Sequence, residues 1–242
     1  MSNIVTAASG NARRELTARD LAYNEMGDGF AKSLSDYDTQ RRVEVLIDDF
    51  LGGIDLTGRR VLEVGTGLGY FARRLKERGA DVTASDLAPN LVRDVERNVG
   101  CRAVVADALN LTGSFPGEAF DIVFSSECIE HTPDPAAAVI EMTKLLKPGG
   151  LLCLSTPNIV WQPVVRLAST LKLRQFCGYE NFSSWRGLRR LLAAQGMTIE
   201  REHGLHLYPF QLGLHGFSRL IDARLQCFRA AMINICVLAR KS

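Results

Sequence analysis

A nine-residue segment, VLEVGTGLG at positions 61–69, constrains the fold of this chain more than any other part of the sequence. An apolar run passes directly into three glycines at alternate positions, and a pattern typical of a helix follows. Glycine permits the tight turn between a strand and a helix, and it lets the backbone approach a ligand closely. The spacing is G-x-G-x-G, because Tyr70 stands where the dinucleotide pattern G-x-G-x-x-G has its third glycine. The segment predicts the first turn of an open α/β sheet with a ligand at its carboxyl edge.

Strands and helices alternate after this segment. Short apolar runs predict strands at 61–64, 82–85, 103–106, 120–125 and 151–155. Helical spacing predicts helices at 70–78, 89–98 and 135–146, and then at 184–195 and 211–226. Apolar strands separated by helices are typical of a parallel sheet covered on both faces, so we expect a doubly wound α/β fold. Two late strands, at 197–202 and 230–239, predict an antiparallel pair at the sheet edge.

The composition is that of an ordinary globular protein. Of 242 residues, 46% are apolar and 23% charged, and 29 basic against 27 acidic side chains leave a net charge of +2. This charge provides no general attraction to nucleic acid, and no apolar run reaches the length of a membrane span. Six cysteines without a C-x-x-C motif, several of them in apolar stretches, predict free thiols in a reducing compartment. We therefore expect a cytoplasmic protein.

Three successive strands each lead into an acidic residue. Glu63 precedes the glycines, Asp86 ends the second strand 21 residues after Gly65, and Asp107 follows the third strand. An acid at the position of Asp86 accepts hydrogen bonds from ribose hydroxyls, and Asp107 or its backbone lies where it would reach an adenine amine. This acidic edge favours a cationic nucleoside over a pyrophosphate.

With these features the chain resembles the class I S-adenosylmethionine-dependent methyltransferases. VLEVGTGLG, ASD, ADAL, FDIVFSSECIEH and LLKPGGLLCLSTPN follow one another in that family's order and spacing. The resemblance implies a Rossmann-like sheet of seven mostly parallel strands with an antiparallel last strand. It also implies a single domain over 1–242, with an N-terminal helical lid at 1–51, a donor-binding core at 58–156, and acceptor-side insertions with the final strands at 157–242.

The same resemblance implies which residues contact the methyl donor. They are Arg42, Glu63, Gly65, Gly67, Asp86, Leu87, Asp107, Ala108 and Ser126. Arg42 would bind the methionine carboxylate from the helix that precedes the sheet, and the sequence makes Arg41 an equal candidate for that role.

Residues 125–135 read SSECIEHTPDP and place Glu127, Glu130 and His131 beside the expected methyl group. The spacing E-x-x-E-H resembles the metal motif of ubiquinone-pathway catechol O-methyltransferases and small-RNA 2′-O-methyltransferases, which implies that these three residues bind Mg²⁺ or Mn²⁺. His203 and His206 are candidates for a fourth ligand. In a second interpretation His131 is a general base for the acceptor, with Glu130 beside it in the catalytic site. In a third, Glu130 and His131 only cap the following loop.

Aromatic side chains are concentrated outside the nucleotide-binding half. They are Tyr23, Phe30, Tyr37, Trp161, Phe176, Tyr179, Phe182, Trp185, Tyr208 and Phe210. Such residues line pockets for small organic molecules, and they also form ordinary core between a lid and a sheet. We expect methyl transfer to an oxygen of a small phenolic, quinone-like or polyketide-like acceptor. The alternatives are RNA 2′-O-methylation, which the near-neutral charge disfavours, and N- or C-methylation of a small metabolite with His131 as base. The sequence leaves the oligomeric state open.

Overall fold

The computed structural model of the chain describes residues 36–171, 178–208 and 214–242. Most of the expected N-terminal lid, with Tyr23 and Phe30, lies outside these ranges, as do Phe176 and Phe210. The described strands are β1 (Arg60–Val64), β2 (Asp81–Asp86), β3 (Arg102–Val105), β4 (Phe120–Ser126), β5 (Leu146–Pro157), β6 (Met197–Leu205) and β7 (Asn234–Lys241). The described helices are α1 (Asp36–Val43, continued by a π-helix over Glu44–Phe50), α2 (Tyr70–Glu77), α3 (Pro89–Val99), α4 (Leu111–Ser114), α5 (Pro135–Lys144), α6 (Gln162–Thr170), α7 (Trp185–Ala194) and α8 (His215–Arg224).

The described strands form one seven-stranded sheet in the order β3-β2-β1-β4-β5-β7-β6. Neighbouring strands from β1 to β5 run parallel, whereas β7 runs antiparallel to both β5 and β6, between which it lies. The predicted doubly wound, mostly parallel sheet with an antiparallel last strand is therefore confirmed. The expected late antiparallel pair consists of β6, at the sheet edge, and β7.

Helices cover the sheet on both faces, as the continuous apolar strands predict. Val61 and Leu62 are both fully buried, and because side chains alternate along a strand they belong to different cores. Val61 packs in the cluster that contains residues of α1, α2 and α3, and Leu62 packs in the cluster that contains residues of α5 and α7. A strand with two buried faces has no polar side, and this explains why the sequence of β1 does not alternate.

Two strands begin four or more residues away from their predicted first residue. β5 begins at Leu146 rather than at residue 151, because Leu146 pairs with Phe120 before a register shift. The last strand begins at residue 234 rather than at 230, because residues 226–231 form a 3-10 turn. Side chains of another segment bind the carbonyls that precede the strand. Asn158 Nδ2 donates to the carbonyls of Ala230 and Met232, both at 2.9 Å. Short-range patterns do not reveal contacts over such separations.

The described cysteines form no disulfide; Cys153 and Cys236 are buried, whereas Cys227 is exposed. The helices of the described ranges are too short or too polar to cross a lipid bilayer.

Candidate active site

The glycine loop lies between the end of β1 and the start of α2, at the carboxyl edge of the sheet. The backbone N–H groups of Gly65 and Thr66 both donate to the Ser85 carbonyl of β2 at 2.9 Å. Gly65 has a φ of +77°, and a Cβ at this position would stand 2.5 Å from Cys128 Sγ. A side chain has no room here, and the left-handed φ strains any residue but glycine. The loop thus keeps a half-buried backbone close to the residues that follow β4.

Glu63 lies beneath this loop, with 1% of its surface exposed. Thr66 Oγ1 donates to Glu63 Oε2 at 2.6 Å, so Glu63 supports the loop from inside. Burial raises the pKa of Glu63 to about 8, against the lowering effect of the Thr66 hydrogen bond. The direct contact between Glu63 and the donor, which the family resemblance implies, stays a prediction.

Asp86 joins the end of β2 to the glycine loop. Its Oδ2 accepts from the Gly67 N–H at 2.9 Å, and its Oδ1 accepts from the Ala88 N–H at 3.0 Å. Burial raises the pKa of Asp86, and these backbone donors counteract the increase. Asp107 forms a comparable turn after β3, where its Oδ1 accepts from the Leu109 N–H at 3.0 Å. Both carboxylates therefore stand at neighbouring strand ends, as the sequence predicts.

A cleft of about 740 Å³ opens beside the glycine loop, next to the ends of β1, β4 and β5. Its polar wall includes Asp38, Arg42, Gly65, Gly67, Ser126, Glu127, Glu130, His131, Glu180 and Asn234. Its apolar wall includes Phe71, Pro157, Trp161, Val164, Val165, Ala168, Phe182 and Ile233. The cleft joins a backbone-lined end, suited to a nucleoside, to an apolar end that is suited to an organic molecule.

The predicted donor residues fall into two groups. Arg42, Gly65, Gly67 and Ser126 line the cleft. The second group follows β2 and β3, beside the cleft wall rather than on it, and comprises Asp86, Leu87, Asp107 and Ala108. Both groups lie at the carboxyl edge, where open α/β sheets bind ligands. Their contacts with the donor stay predictions.

Arg42 faces the cleft and Arg41 does not. Arg42 is 4% exposed, its Nη2 lies 2.7 Å from Asp38 Oδ2, and its Nη1 donates to Ser126 Oγ at 3.2 Å. Arg41 Nη2 instead lies 3.9 Å from Asp222 Oδ2. The sequence made the two arginines equal candidates for the methionine carboxylate, and the structure favours Arg42.

Two carboxylates follow β4, of which Glu127 is half-buried and Glu130 is buried. Glu127 accepts from Ser155 Oγ at 2.9 Å and from Asn234 Nδ2 at 2.8 Å. Glu130 is 2% exposed, and the Thr156 hydroxyl lies 3.5 Å from its Oε2. Burial raises the pKa of Glu127, although a neighbouring guanidinium counteracts it. Burial and then the negative charge of Glu127 raise the pKa of Glu130 well above its ordinary value.

His131 lies beside these two acids, and its side chain is 30% exposed, against 3% for Glu130. Its Nδ1 is 3.1 Å from the Tyr179 carbonyl oxygen, and its Nε2 is 3.8 Å from Glu130 Oε1. A carbonyl oxygen only accepts, so the hydrogen bond to Tyr179 requires the proton on Nδ1. A neutral ring then carries its lone pair on Nε2, which is the nitrogen that can take a proton from a substrate.

The side chains of the E-x-x-E-H segment do not converge on a common point. Within the part of the chain that the structure describes, no three His, Cys, Asp or Glu side chains are grouped so that they could hold a metal ion. The histidines considered as a fourth ligand make other contacts. His206 Nε2 lies 2.9 Å from Asp38 Oδ1, and His203 Nε2 lies 3.1 Å from Gln226 Nε2. In this arrangement the residues do not fit a bound ion. The Mg²⁺ or Mn²⁺ site, which the family resemblance implies, stays a prediction.

The aromatic residues predicted for the acceptor side divide between the cleft and other packing. Trp161 and Phe182 line the cleft. Trp185 is buried in the core, and Tyr37 stacks on His215 with ring centroids 3.9 Å apart. Tyr179 contributes its carbonyl group to the site rather than its ring. Aromatic content alone therefore identified the region but not the lining residues.

Several polar residues of the cleft were not singled out from the sequence, among them Asp38, Glu180 and Asn234. Asp38 and Arg42 are four residues apart on one helix, a spacing that favours an ion pair. This spacing could have indicated Asp38 as a partner of Arg42. Asn234 reaches Glu127 from 107 positions away, and no local pattern marks it.

Several known proteins are similar to this chain. Residues 62–154 match the family described as a methyltransferase domain. A ubiquinone biosynthesis O-methyltransferase of Xylella fastidiosa is 39% identical over 184 residues, which cover 69% of this chain and 72% of that protein. The chain belongs to the class I S-adenosylmethionine-dependent methyltransferases.

Other relatives of this methyltransferase are matched over a shorter length. A ubiquinone biosynthesis O-methyltransferase of Xanthomonas campestris is 41% identical over 119 residues, or 47% of this chain. The match spans about half the length of that relative, 49%. In fold, the methyltransferase resembles the magnesium protoporphyrin IX methyltransferase of Synechocystis PCC 6803 solved with bound S-adenosylhomocysteine. The TM-score is 0.66 at 18% identity, over 93% of this chain and 98% of the other.

Proposed function

We propose that this methyltransferase transfers the methyl group of S-adenosylmethionine to a hydroxyl oxygen of a small phenolic or quinone-like molecule. The observation that carries the proposal is the single cleft that joins the glycine loop and Arg42 to His131 and an apolar wall. The bound donor would supply an electrophilic methyl group on a sulfonium sulfur. The names of the relatives, ubiquinone biosynthesis O-methyltransferases, support oxygen as the acceptor atom and a quinone-like ring as its carrier.

The donor end of the cleft suits a zwitterionic nucleoside. The backbone at Gly65 and Gly67 leaves room for a close approach, and the Arg42 guanidinium can bind a carboxylate through two hydrogen bonds. Asp86, beside the loop, would accept from ribose hydroxyls in addition to its backbone donors, because each carboxylate oxygen can accept more than one hydrogen bond. These contacts would fix the direction in which the methyl group points.

The chemistry at the acceptor end needs a base and correct alignment rather than a covalent intermediate. As the acceptor oxygen bonds to the methyl carbon, the carbon–sulfur bond of the donor would break and leave its electron pair on the sulfur of S-adenosylhomocysteine. His131 Nε2 would take the hydroxyl proton. Glu130 Oε1 lies 3.8 Å from Nε2, and in its ionised form this carboxylate would stabilise the imidazolium that results. Trp161, Phe182 and the aliphatic residues of α6 would hold the acceptor ring and exclude water.

The cleft wall argues against an RNA acceptor. Among its described lining residues Arg42 is the one Lys or Arg, and it is paired with Asp38. Glu127, Glu130 and Glu180 line the same space, and a polyanion would meet these carboxyl groups without the cations that phosphate binding requires. A small neutral acceptor suits this wall better.

Incubation of the protein with methyl-labelled S-adenosylmethionine and a panel of catechols, hydroxybenzoates, amines and short RNAs tests the proposal. We expect labelled methyl ethers from the phenolic compounds, and we expect His131→Ala to lower kcat by about 100-fold or more. His203→Ala removes a histidine outside the cleft and serves as the matched control. Label on an amine, a carbon or RNA instead would refute the assignment of the acceptor.

The same assay decides between the base and the metal hypotheses. If His131 acts as a base alone, activity survives exhaustive chelation and depends on His131. If the Glu127–His131 segment binds Mg²⁺ or Mn²⁺ after its side chains turn, chelation abolishes activity and added metal restores it. Direct titration with Mn²⁺, followed by its electron paramagnetic resonance signal, gives a readout that is independent of turnover.

A further inference from the structure

Residues 178–184 form a strap across the turn that carries His131. The Asn181 N–H donates to the Glu130 carbonyl at 2.9 Å, and Asn181 Nδ2 donates to the Thr132 carbonyl at 2.8 Å. Between these two contacts, His131 Nδ1 lies 3.1 Å from the Tyr179 carbonyl oxygen. Three consecutive residues of the turn are thus bound by one short segment, 48 or more positions away.

From this geometry we propose that Asn181 is a positioning residue, which holds the Tyr179 carbonyl against His131 and so fixes the tautomer of the imidazole. The inference rests on the proposed role of His131 as base. With the proton held on Nδ1, the lone pair of the neutral ring is on Nε2, on the side of Glu130 Oε1. The opposite tautomer would present an N–H to the acceptor hydroxyl and could not accept its proton.

The asparagine side chain is chemically suited to this position. Its amide donates to the Thr132 carbonyl, whereas an aspartate of the same shape has two acceptor oxygens and would face that carbonyl without a donor. The main-chain hydrogen bond from the Asn181 N–H to the Glu130 carbonyl holds the strap on the other side of His131. The Tyr179 carbonyl is two residues from these anchors, so its freedom to move away from the ring is small.

Further hydrogen bonds hold the strap to residues 157–162. Ser183 N–H donates to the Pro157 carbonyl at 3.0 Å, and the Ile159 N–H donates to the Ser183 carbonyl at 2.8 Å. Gln162 Nε2 donates to the Glu180 carbonyl at 2.7 Å. Gln162 therefore fastens the strap to α6 at Glu180, between Tyr179 and Asn181, without touching the His131 turn itself. Gln162→Ala is the matched control, because it removes a side-chain contact of the strap and keeps both contacts of Asn181 to the turn.

Long-range proton–nitrogen NMR spectra of ¹⁵N-histidine-labelled protein test the inference without turnover. The chain has four histidines, and His131→Ala assigns the relevant signals. We expect the wild-type His131 ring to carry its proton on Nδ1 at a pH where the ring is neutral. In Asn181→Ala we expect the second tautomer to appear, whereas Gln162→Ala retains the first. A wild-type proton on Nε2, or an unchanged tautomer in Asn181→Ala, would overturn the proposal.

Kinetics then separate positioning from general damage. We expect Asn181→Ala to lower kcat by about 10-fold while the Kd for S-adenosylhomocysteine changes less than about 2-fold. Should Asn181→Ala fail to fold, Asn181→Asp keeps the shape and the backbone donor and carries the same expectations. Equal losses of kcat in Gln162→Ala and Asn181→Ala would refute a specific role for Asn181. If the tautomer shifts in Asn181→Ala while His131→Ala stays fully active, the positioning role of Asn181 is supported. The proposed role of His131 as a general base is then refuted.

Discussion

Asp38 and Arg42 form an ion pair one turn apart on α1, with Arg42 Nη2 2.7 Å from Asp38 Oδ2, and both side chains line the cleft. Arg42 is buried and Asp38 is half-buried, so the guanidinium depends on this carboxylate for compensation of its charge. Asp38 is held in turn by His206, whose Nε2 lies 2.9 Å from Asp38 Oδ1. The guanidinium is thus fixed before any ligand arrives, and an arrangement fixed in this way binds at a smaller entropic cost.

Arg42→Lys should weaken donor binding. A lysine has a point charge in place of the planar fork, so it cannot bind Asp38 and a carboxylate with the same geometry. We expect the Kd for S-adenosylhomocysteine, measured by calorimetry, to rise by about 10-fold or more. Arg41→Lys, one residue away and directed to Asp222, should change the Kd by less than about 3-fold. Equal effects of the two variants would contradict the assignment of Arg42 to the carboxylate.

Gly65→Ala should abolish donor binding through a steric effect as well as backbone strain. The new Cβ would stand 2.5 Å from Cys128 Sγ, at a φ of +77°. Gly117 provides the control, because it has a similar φ of +72° but nothing within 4 Å of a new Cβ. Gly117→Ala should cost about 1 kcal/mol of unfolding free energy and leave binding intact. If Gly65→Ala binds the donor as well as Gly117→Ala does, the close approach at the loop is not required.

Stability should fall as pH rises because of Glu63. The folded protein holds the Glu63 proton up to about pH 8, whereas the unfolded chain releases it near its ordinary pKa of 4.5. The folded state binds more protons between these values, so the free energy of unfolding decreases with rising pH, by at most about 5 kcal/mol.

Urea unfolding of Glu63→Gln at several pH values measures this contribution. The free energy of unfolding of the variant should decrease much less with rising pH than that of wild type. The variant should therefore become more stable relative to wild type as pH increases from 5 to about 9. The exposed Glu96→Gln removes a formal charge without touching the glycine loop and is the control. A difference between Glu63→Gln and wild type that stays constant with pH would show that Glu63 does not retain its proton.

Trp161→Ala should affect the acceptor and not the donor. Trp161 lines the apolar end of the cleft, and its Nε1 donates to the Ala231 carbonyl at 2.8 Å. We expect the KM for a phenolic acceptor to rise by about 10-fold while the Kd for S-adenosylhomocysteine remains within about 2-fold. Phe228→Ala removes an aromatic side chain, 54% exposed, from outside the cleft wall and should leave both constants unchanged. An increased Kd for S-adenosylhomocysteine in Trp161→Ala would contradict the assignment of Trp161 to the acceptor end of the cleft.

The parts of the fold that depend on local periodicity could be predicted from the sequence. β1, the glycine loop and α2 follow from the apolar run and the glycines, and the antiparallel β6 and β7 follow from two strands without a crossover helix. α6 was not predicted, because it follows directly on a 3-10 turn, and no residue of it is buried to give a clear apolar face.

The parts of the site that depend on long-range contacts could not be predicted. Glu127 and His131 were found because they lie in one short segment after β4. Their partners Asn234 and Tyr179 come from 107 and 48 positions away, and neither stands in a pattern that specifies the contact. Arg41 and Arg42 could be separated only when the helix phase about α1 was known.

The position of β7 has a consequence for folding during synthesis. β6 emerges from the ribosome before β7, the strand that lies between β6 and β5. Until residues 234–241 emerge, β6 therefore has no strand to pair with in the sheet. The segment that completes the sheet also completes the cleft, because Ile233 and Asn234 stand on its wall. A nascent chain can therefore form its glycine loop early and still have no enclosed place for an acceptor, so competence to bind both substrates arrives with the final strand.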